Sequence, residues 1–303
     1  MTDFCSDDRA SDGGVPCDKT PTICRATNIP PALARLSAPP AARLPVNRCN
    51  LPAEALASLA FQLAPVDLEV DGVQPLHRPL FERLSLVDDA TARAQLFMHY
   101  MTAHFLLDDA PAQGLTEHAR IDRSRLDYLR LLRGWLFDSE GREGAVLKSW
   151  VESRFGLLTG FHRGPLGDGD CPARTAFEHE RAAGLYGTGA LEAQVDLLYA
   201  YAQHELARRH AGKRHLTLYR GISGRDALAT LAPLPDGRSA VLLNNLSSFS
   251  ASRERAGEFG DRVVECAVPL PKVLAFARLL PGRLQGEDEY LVIGGVAAVR
   301  RVD

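Results

Sequence analysis

The sequence contains no long apolar run, no excess of positive charge and no leader-like beginning. No stretch approaches the roughly 18–20 consecutive apolar residues that cross a bilayer as a helix. Lys and Arg number 35 against 38 Asp and Glu, and this net charge of -3 excludes a global basic field for nucleic acid. The first residues, MTDFCSDDRASDGG, are acidic and polar where a signal peptide would be basic and then apolar. These absences predict a cytoplasmic protein without a membrane-spanning segment.

Cysteine is scarce and is not arranged in pairs. The chain has 6 cysteines in 303 residues, too few for a disulfide scaffold of this size, and none lies in a C-x-x-C pair. Those near the N-terminus are irregularly spaced, so free thiols are favoured there and a zinc site stays the alternative. The cysteines of this N-terminal group are Cys5, Cys17, Cys24 and Cys49.

Familiar catalytic motifs are also missing. There is no G-x-x-x-x-G-K-[ST] phosphate loop and no G-x-S-x-G nucleophile turn. His210 lies six residues after His204 and therefore off its helical face, which disfavours a zinc helix. The two tryptophans, Trp135 and Trp150, are interpreted as core packing.

The chain divides into three parts by composition. Seven prolines interrupt any periodic pattern in residues 1–48, which we predict to be a flexible extension. Residues 49–212 carry apolar residues at helical spacing. Residues 213–303 are rich in Val, Leu, Ile and Tyr between Gly, Pro and Asp, a pattern typical of strands. Helices followed by strands predict an α+β fold rather than a doubly wound parallel sheet.

Three polar elements occur in order at strands or strand ends of the last part. Each alone has an ordinary structural explanation, namely a surface charge, a strand-edge turn and a solvated loop. Their occurrence together in this order favours a functional site. The elements are Leu218-Tyr219-Arg220-Gly221, Ser247-Ser248-Phe249-Ser250 and Gly286-Glu287-Asp288-Glu289-Tyr290.

In this order the elements resemble the Arg–Ser–Glu signature of the arginine-type mono-ADP-ribosyltransferases. The serine element is similar to that family's Ser-Thr-Ser motif with Phe249 in the middle position, and the family's following Ala and Phe-Gly fall on Ala256 and Phe259-Gly260. The acidic element is similar to its Glu-x-Glu motif at Glu287 and Glu289. The resemblance implies a split two-sheet core that binds NAD+ as a substrate and transfers ADP-ribose to an arginine, without a metal.

A narrower resemblance covers most of the chain beyond residue 46. Three stretches are similar to the dinitrogenase reductase ADP-ribosyltransferase family, whose members inactivate the nitrogenase iron protein. This implies a cytoplasmic enzyme that modifies the iron protein, switches off nitrogen fixation and is controlled by a PII signalling protein. It also implies a single catalytic domain at 49–303, with a helical portion at 49–212 packed on an NAD-binding core at 213–303. The similar stretches are 47–61, 68–73 and 97–105.

The chemistry suggests a task for each matched residue. Breaking the bond between nicotinamide and ribose passes through an oxocarbenium-like transition state, which needs a fixed negative charge near the sugar. By the resemblance, Glu289 supplies this charge and Ser248 braces it, while Glu287 orients the acceptor guanidinium and takes its proton. Arg220 suits the pyrophosphate or ribose, and Gly221 permits close backbone approach to nicotinamide. The other predicted NAD+-binding residues are Tyr219, Ser250, Phe249 and Phe259, and the sequence does not choose which phenylalanine packs on nicotinamide.

Two alternatives stay open on the sequence alone. The first is an arginine ADP-ribosyltransferase or NAD glycohydrolase that acts on another acceptor, such as a secreted toxin, against which the acidic N-terminus argues. The second is a catalytically inactive regulatory protein with an NAD-binding fold. The presence of Arg220, Ser248, Glu287 and Glu289 argues against the second alternative.

Overall fold

Apolar periodicity and capping side chains decide where the helices form. The computed structural model describes residues 29–107, 126–167, 171–186, 188, 190–223, 228–282 and 288–302. Asp89 and Asp127 each begin a helix, because a carboxylate oxygen of each accepts from a backbone N–H three residues on, at 2.6 and 2.8 Å. The helices are α1 (Pro31–Ala34), α2 (Ala53–Leu56), α3 (Leu59–Leu63), α4 (Val73–Leu76), α5 (Arg78–Ser85), α6 (Ala90–Phe105), α7 (Tyr128–Phe137), α8 (Arg142–Phe155), α9 (Pro172–Leu185), α10 (Leu191–Arg209) and α11 (Arg253–Gly257).

No helix in these described ranges is both long and apolar enough to cross a membrane.

An antiparallel sheet follows the long helices. Its strands are β1 (His215–Ile222), β2 (Ala229–Pro233), β3 (Ser239–Ser250), β4 (Arg262–Pro269), β5 (Val273–Phe276) and β6 (Glu289–Arg301). The strand order is β2-β3-β1-β4-β6-β5, and β3 also pairs with β6, so that β3, β1, β4 and β6 close into a ring. Helices followed by antiparallel strands confirm the predicted α+β class.

One hydrophobic core joins the helices to the sheet. Its largest cluster contains buried residues of α6, α7, α8 and α10 together with buried residues of β1, β3, β4, β5 and β6. The hydroxyl of Tyr199, in the middle of α10, donates to the carbonyl oxygen of Pro271 just before β5, at 2.7 Å. The core therefore continues across the change from helices to strands near residue 212.

Residues from Ile29 onward also pack on the fold. Leu33 and Leu36 contact a smaller buried cluster that contains Leu59 and Val296. The backbone N–H of Leu59 donates to the carbonyl of Leu36 at 2.7 Å. The predicted extension at 1–48 stays a prediction, since residues 1–28 lie outside the described part of the chain.

Buried ion pairs tie α10 to its neighbours. Arg93 of α6 donates from Nε and Nη2 to the two carboxylate oxygens of Glu205, at 2.5 and 3.0 Å. Burial opposes ionisation of Glu205, but the hydrogen bonds and charges of its arginine partners prevail and lower its pKa. Asp196 accepts from Arg154 and from Trp150 Nε1, both at 2.7 Å, so the interpretation of Trp150 as a core residue agrees with its surroundings.

Candidate active site

Ser248, Ser250 and Glu289 meet on the ladder between β3 and β6. Ser250 stands opposite Glu289, and Ser248 stands opposite Leu291. Alternate residues of a strand share a face, so the two serines and the glutamate lie on the same side of the sheet. The ladder thus brings together two of the three polar elements that are separated in the sequence.

An indole from the helical portion completes this cluster. Trp135 of α7 is 3% exposed, and its Nε1–H lies 2.9 Å from Ser248 Oγ and 3.2 Å from Glu289 Oε1. An indole nitrogen donates and does not accept, so both oxygens serve as its acceptors. The interpretation of Trp135 as a core residue is confirmed, and its N–H in addition contacts Ser248 and Glu289 of the predicted site.

Arg220 joins the cluster from β1. Its Nη1 donates to the backbone carbonyl oxygen of Ser248 at 2.8 Å, and its side chain is half-buried. The preceding residue, Tyr219, stands opposite Ser250 where β1 meets β3. The third polar element therefore lies beside the other two, and it supplies a cation that suits phosphate oxygens.

The end of β1 touches the turn after α11 so closely that side chains do not fit. A Cβ on Gly221 would lie 2.1 Å from the carbonyl oxygen of Ala256, and a Cβ on Gly260 would lie 2.4 Å from the nitrogen of Ile222. The backbone of Ala256 lies close to Gly221, which is a different contact from the predicted approach to nicotinamide. Contact of Gly221 with nicotinamide stays a prediction.

The two candidate phenylalanines differ sharply in exposure. Phe249 is 2% exposed and points into the core, on the opposite face of β3 from Ser248. Phe259 is 66% exposed and lies next to Gly221 in the turn after α11. Of the two rings, that of Phe259 is the one a ligand can reach in this conformation.

Ser250 has a structural task. Its Oγ accepts from the backbone N–H of Ser252 at 3.1 Å, and Ser252 in turn caps α11 by accepting from Arg255 N at 3.2 Å. Ser250 therefore fixes the turn that carries the chain from β3 into α11. Its predicted contact with NAD+ stays a prediction.

A buried lysine lies behind the indole. Lys148 of α8 donates from Nζ to Glu140 Oε1 at 2.6 Å and to the carbonyl of Phe161 at 3.2 Å. Burial lowers the pKa of Lys148, against the opposing effect of Glu140. Its Nζ lies 5.8 Å from the ring centroid of Trp135. The sequence shows no sign of this group, since Lys148 stands among the apolar residues of a core helix.

The acidic element is described only in part. Glu287, the second predicted catalytic glutamate, lies outside the described residues, which resume at Asp288. Asp288 has a left-handed backbone with a φ of 51°, and its Oδ1 lies 3.4 Å from Arg278 Nη2. A cavity of about 200 Å³ opens at this edge of β5 and β6, lined by Ala251, Phe276, Ala277, Arg278, Asp288 and Tyr290.

The cluster offers a carboxylate held by a rigid donor, next to a guanidinium. A fixed carboxylate can stabilise a sugar that becomes cationic, and a guanidinium can bind phosphate oxygens. An arginine, a serine and a glutamate on neighbouring strands of an α+β fold are the pattern of the Arg–Ser–Glu class of ADP-ribosyltransferases.

Comparison with known proteins identifies the family within this class. The model of the dinitrogenase reductase ADP-ribosyltransferase family matches residues 46–301. The NAD(+)–dinitrogen-reductase ADP-D-ribosyltransferase of Rhodospirillum rubrum is 39% identical over 256 residues, which cover 82% of this chain and 91% of the relative. No solved structure matches. The chain therefore belongs to the dinitrogenase reductase ADP-ribosyltransferase family, and the resemblance inferred from its sequence is confirmed.

Proposed function

We propose that this chain transfers ADP-ribose from NAD+ to an arginine of the nitrogenase iron protein, which is dinitrogenase reductase, and thereby switches off nitrogen fixation. The name of the Rhodospirillum rubrum relative supports both the donor and the acceptor protein. The observation that carries the proposal is the meeting of Ser248 and Glu289 at one indole N–H, with Arg220 bonded to the same serine.

In this reaction Glu289 stabilises the sugar. Departure of nicotinamide leaves positive charge on the ribose carbon and its ring oxygen, as in glycoside cleavage. The carboxylate of Glu289 accepts a hydrogen bond from a ribose hydroxyl and faces this charge. The ring nitrogen of nicotinamide is cationic in NAD+, so it takes the bonding electron pair and leaves neutral. Cleavage therefore needs no proton donor.

The β1 end and the α11 turn hold NAD+ on a split two-sheet core. Arg220 binds the pyrophosphate or the adjacent ribose through its planar fork. Gly221 and Tyr219 lie along the nicotinamide half, and Ser250 supports the same face. Of the two phenylalanines, we assign the nicotinamide contact to Phe259, because its ring is exposed and that of Phe249 is buried.

The acceptor step requires a second carboxylate. A guanidinium is fully charged near neutral pH and is a poor nucleophile. Glu287 orients the target arginine. A guanidinium nitrogen of that arginine forms the new bond to the ribose carbon, and its proton passes to Glu287. Ser248 keeps Glu289 in place during this step.

The wider setting follows from the family. We assign residues 49–303 to a single catalytic domain that acts in the cytoplasm, where NAD+ is available. A PII signalling protein regulates it, and a separate ADP-ribosylhydrolase reverses the modification.

Labelled NAD+ tests the proposal directly. We expect the chain to transfer label from the adenylate half of NAD+ to purified iron protein, and Glu289→Gln to abolish the transfer. Glu82→Gln, at an exposed position of α5, is the matched control and should transfer as the wild type does. Free ADP-ribose without labelled iron protein would indicate an NAD glycohydrolase, whereas label on another added protein would indicate a different acceptor. Absence of any turnover would favour a regulatory protein.

Substitutions of Glu287 and Glu289 should have different effects in the same assay. We expect Glu287→Ala to reduce transfer to arginine far more than it reduces release of nicotinamide, because only the acceptor step uses Glu287. Equal loss of both activities would contradict this division of tasks.

A further inference from the structure

The indole of Trp135 reaches the predicted catalytic carboxylate from the helical portion of the chain. Its N–H lies within hydrogen-bond distance of both Ser248 Oγ and Glu289 Oε1, at 2.9 and 3.2 Å. The ring belongs to α7, in the helical portion, and none of the sequence motifs of the site includes it. The Arg–Ser–Glu elements alone therefore leave out a donor that the fold supplies.

This donor is held rigidly. Asp127 caps α7 by accepting from Arg130 N at 2.8 Å, and Gln194 Oε1 of α10 accepts from Tyr128 N at 3.1 Å. The ring itself is buried and has only two side-chain torsions with which to move. A rigid, uncharged donor fixes the position of a carboxylate oxygen without neutralising its charge.

The buried ammonium of Lys148 strengthens the donor. It lies 5.8 Å from the centroid of the Trp135 ring, within the range of a cation–π contact. A cation beside an indole draws electron density from the ring and makes the N–H a better donor. Glu140 and the carbonyl of Phe161 hold Lys148 in this place.

We propose that Trp135 is a positioning residue, which orients Glu289 and favours its ionised form for cleavage of NAD+. The inference rests on the proposed function for its kinetic consequences, and on geometry alone for the contact. By fixing Oε1, the indole aims the second carboxylate oxygen at the ribose. Hydrogen bonding to the charged form of an acid favours that form, so the carboxylate stays active at lower pH than it would without the indole.

Trp135→Phe removes the N–H and keeps a buried aromatic ring. We expect kcat for release of nicotinamide to fall about tenfold, which corresponds to loss of one hydrogen bond to a charged group. KM for NAD+ should change much less than kcat, because the carboxylate that the indole orients acts most strongly on the positive charge that develops in the transition state. The acidic limb of the pH profile should move to higher pH, since the carboxylate loses a donor that favours its charge.

Trp150→Phe is the matched control. Trp150 also donates its N–H to a carboxylate, that of Asp196, but Asp196 pairs with Arg154 away from the cluster. We expect this variant to lose some thermal stability while keeping the wild-type kcat and pH profile. Equal losses of kcat in the two variants would indicate that Trp135 contributes only to the structure, and would overturn the proposal. So would a Trp135→Phe enzyme with the wild-type kcat and acidic limb.

The contact can be tested without any turnover. The chain has 2 tryptophans, so the Trp150→Phe protein carries Trp135 as its single indole. Its fluorescence should change with pH as Glu289 titrates, over a range in which circular dichroism shows the fold intact, and Glu289→Gln should remove that change. An unchanged titration after Glu289→Gln would overturn the proposal. If the titration follows Glu289 but wild-type protein releases no nicotinamide, the proposed function fails while the contact stands.

Discussion

Gly221→Ala should weaken the fold and the activity together, because the end of β1 has no room for a methyl group. The added Cβ would lie 2.1 Å from the carbonyl oxygen of Ala256, 3.0 Å from the nitrogen of Gly260 and 3.1 Å from the carbonyl carbon of Phe259. All three neighbours are backbone atoms, which cannot rotate aside as a side chain can. The strand and the turn after α11 must therefore separate.

The size of the effect follows from this separation. Real Cβ atoms essentially never approach another heavy atom within 3.0 Å, so the 2.1 Å contact must lengthen by about 1 Å. Overpacking of this kind typically costs about 1–3 kcal/mol. A loss of about 2 kcal/mol lowers Tm by roughly 4–8 °C in a domain of this size. The same shift would move Arg220 away from the carbonyl of Ser248, which it now reaches at 2.8 Å. We expect kcat/KM for NAD+ to fall at least about tenfold.

Calorimetry and nicotinamide release, the latter measured well below the Tm of the variant, test the two effects separately. Gly257→Ala is the control, because its Cβ would lie 3.8 Å from Val263 Cγ2 and alanine favours the helix α11. We expect this control to be as stable and as active as the wild type. A Gly221→Ala protein with unchanged Tm would refute the packing argument. A less stable but fully active one would refute the link from Gly221 to Arg220.

Three further predictions concern single side chains. Phe259→Ala should raise KM for NAD+ several-fold with unchanged Tm, whereas Phe249→Ala should cost about 3–5 kcal/mol of stability, as calorimetry and kinetics would show. Glu205→Gln leaves buried Arg93 without its carboxylate and should cost about 3–5 kcal/mol at pH 7. Folding lowers the pKa of Glu205, so its ionised form stabilises the wild type over the variant at pH values above the unfolded pKa near 4.5. In urea unfolding, this difference in unfolding free energy should be lost as pH falls through the pKa of Glu205 in the folded protein. Burial lowers the pKa of Lys272 from 10.5 to about 8, so the unfolded chain binds more protons between these values and stability rises with pH there. Lys272→Met should flatten that rise in the same measurement.

The longer strands could be predicted because each shows a clear pattern. The apolar runs at 215–220, 240–246, 262–268 and 290–299 predict four strands, which correspond to β1, β3, β4 and β6. These strands have 8, 12, 8 and 13 residues. The two strands that were not predicted, β2 and β5, have only 5 and 4 residues. A run of that length does not establish an alternation, and β5 is buried at every position, so it carries none. Such strands form because longer neighbours offer them a pairing edge.

Some residues of the candidate site could likewise be predicted from the sequence, and others could not. Arg220, Ser248 and Glu289 could be predicted because they lie in short motifs whose order along the chain is readable. The part played by Trp135 could not, because it depends on how α7 packs against a sheet formed by residues far along the chain. A buried indole N–H needs an acceptor, but the sequence does not say which one. Lys148 is hidden for the same reason, since its neighbours Glu140 and Phe161 lie on the segments before and after α8.

The hydrogen bond from Trp135 to Glu289 gives the helical portion a part in NAD+ cleavage as well as in packing. If it served only to dock the target protein, the strand-rich core could perform the chemistry without it. The donor to Glu289, however, sits on α7, and α7 is tied to α10 through Gln194. Removing the helices would take away this hydrogen bond and expose the apolar face of the sheet that they cover. We therefore expect a fragment limited to residues 213–303 to lack both a stable fold and NAD+ cleavage, whatever acceptor is supplied.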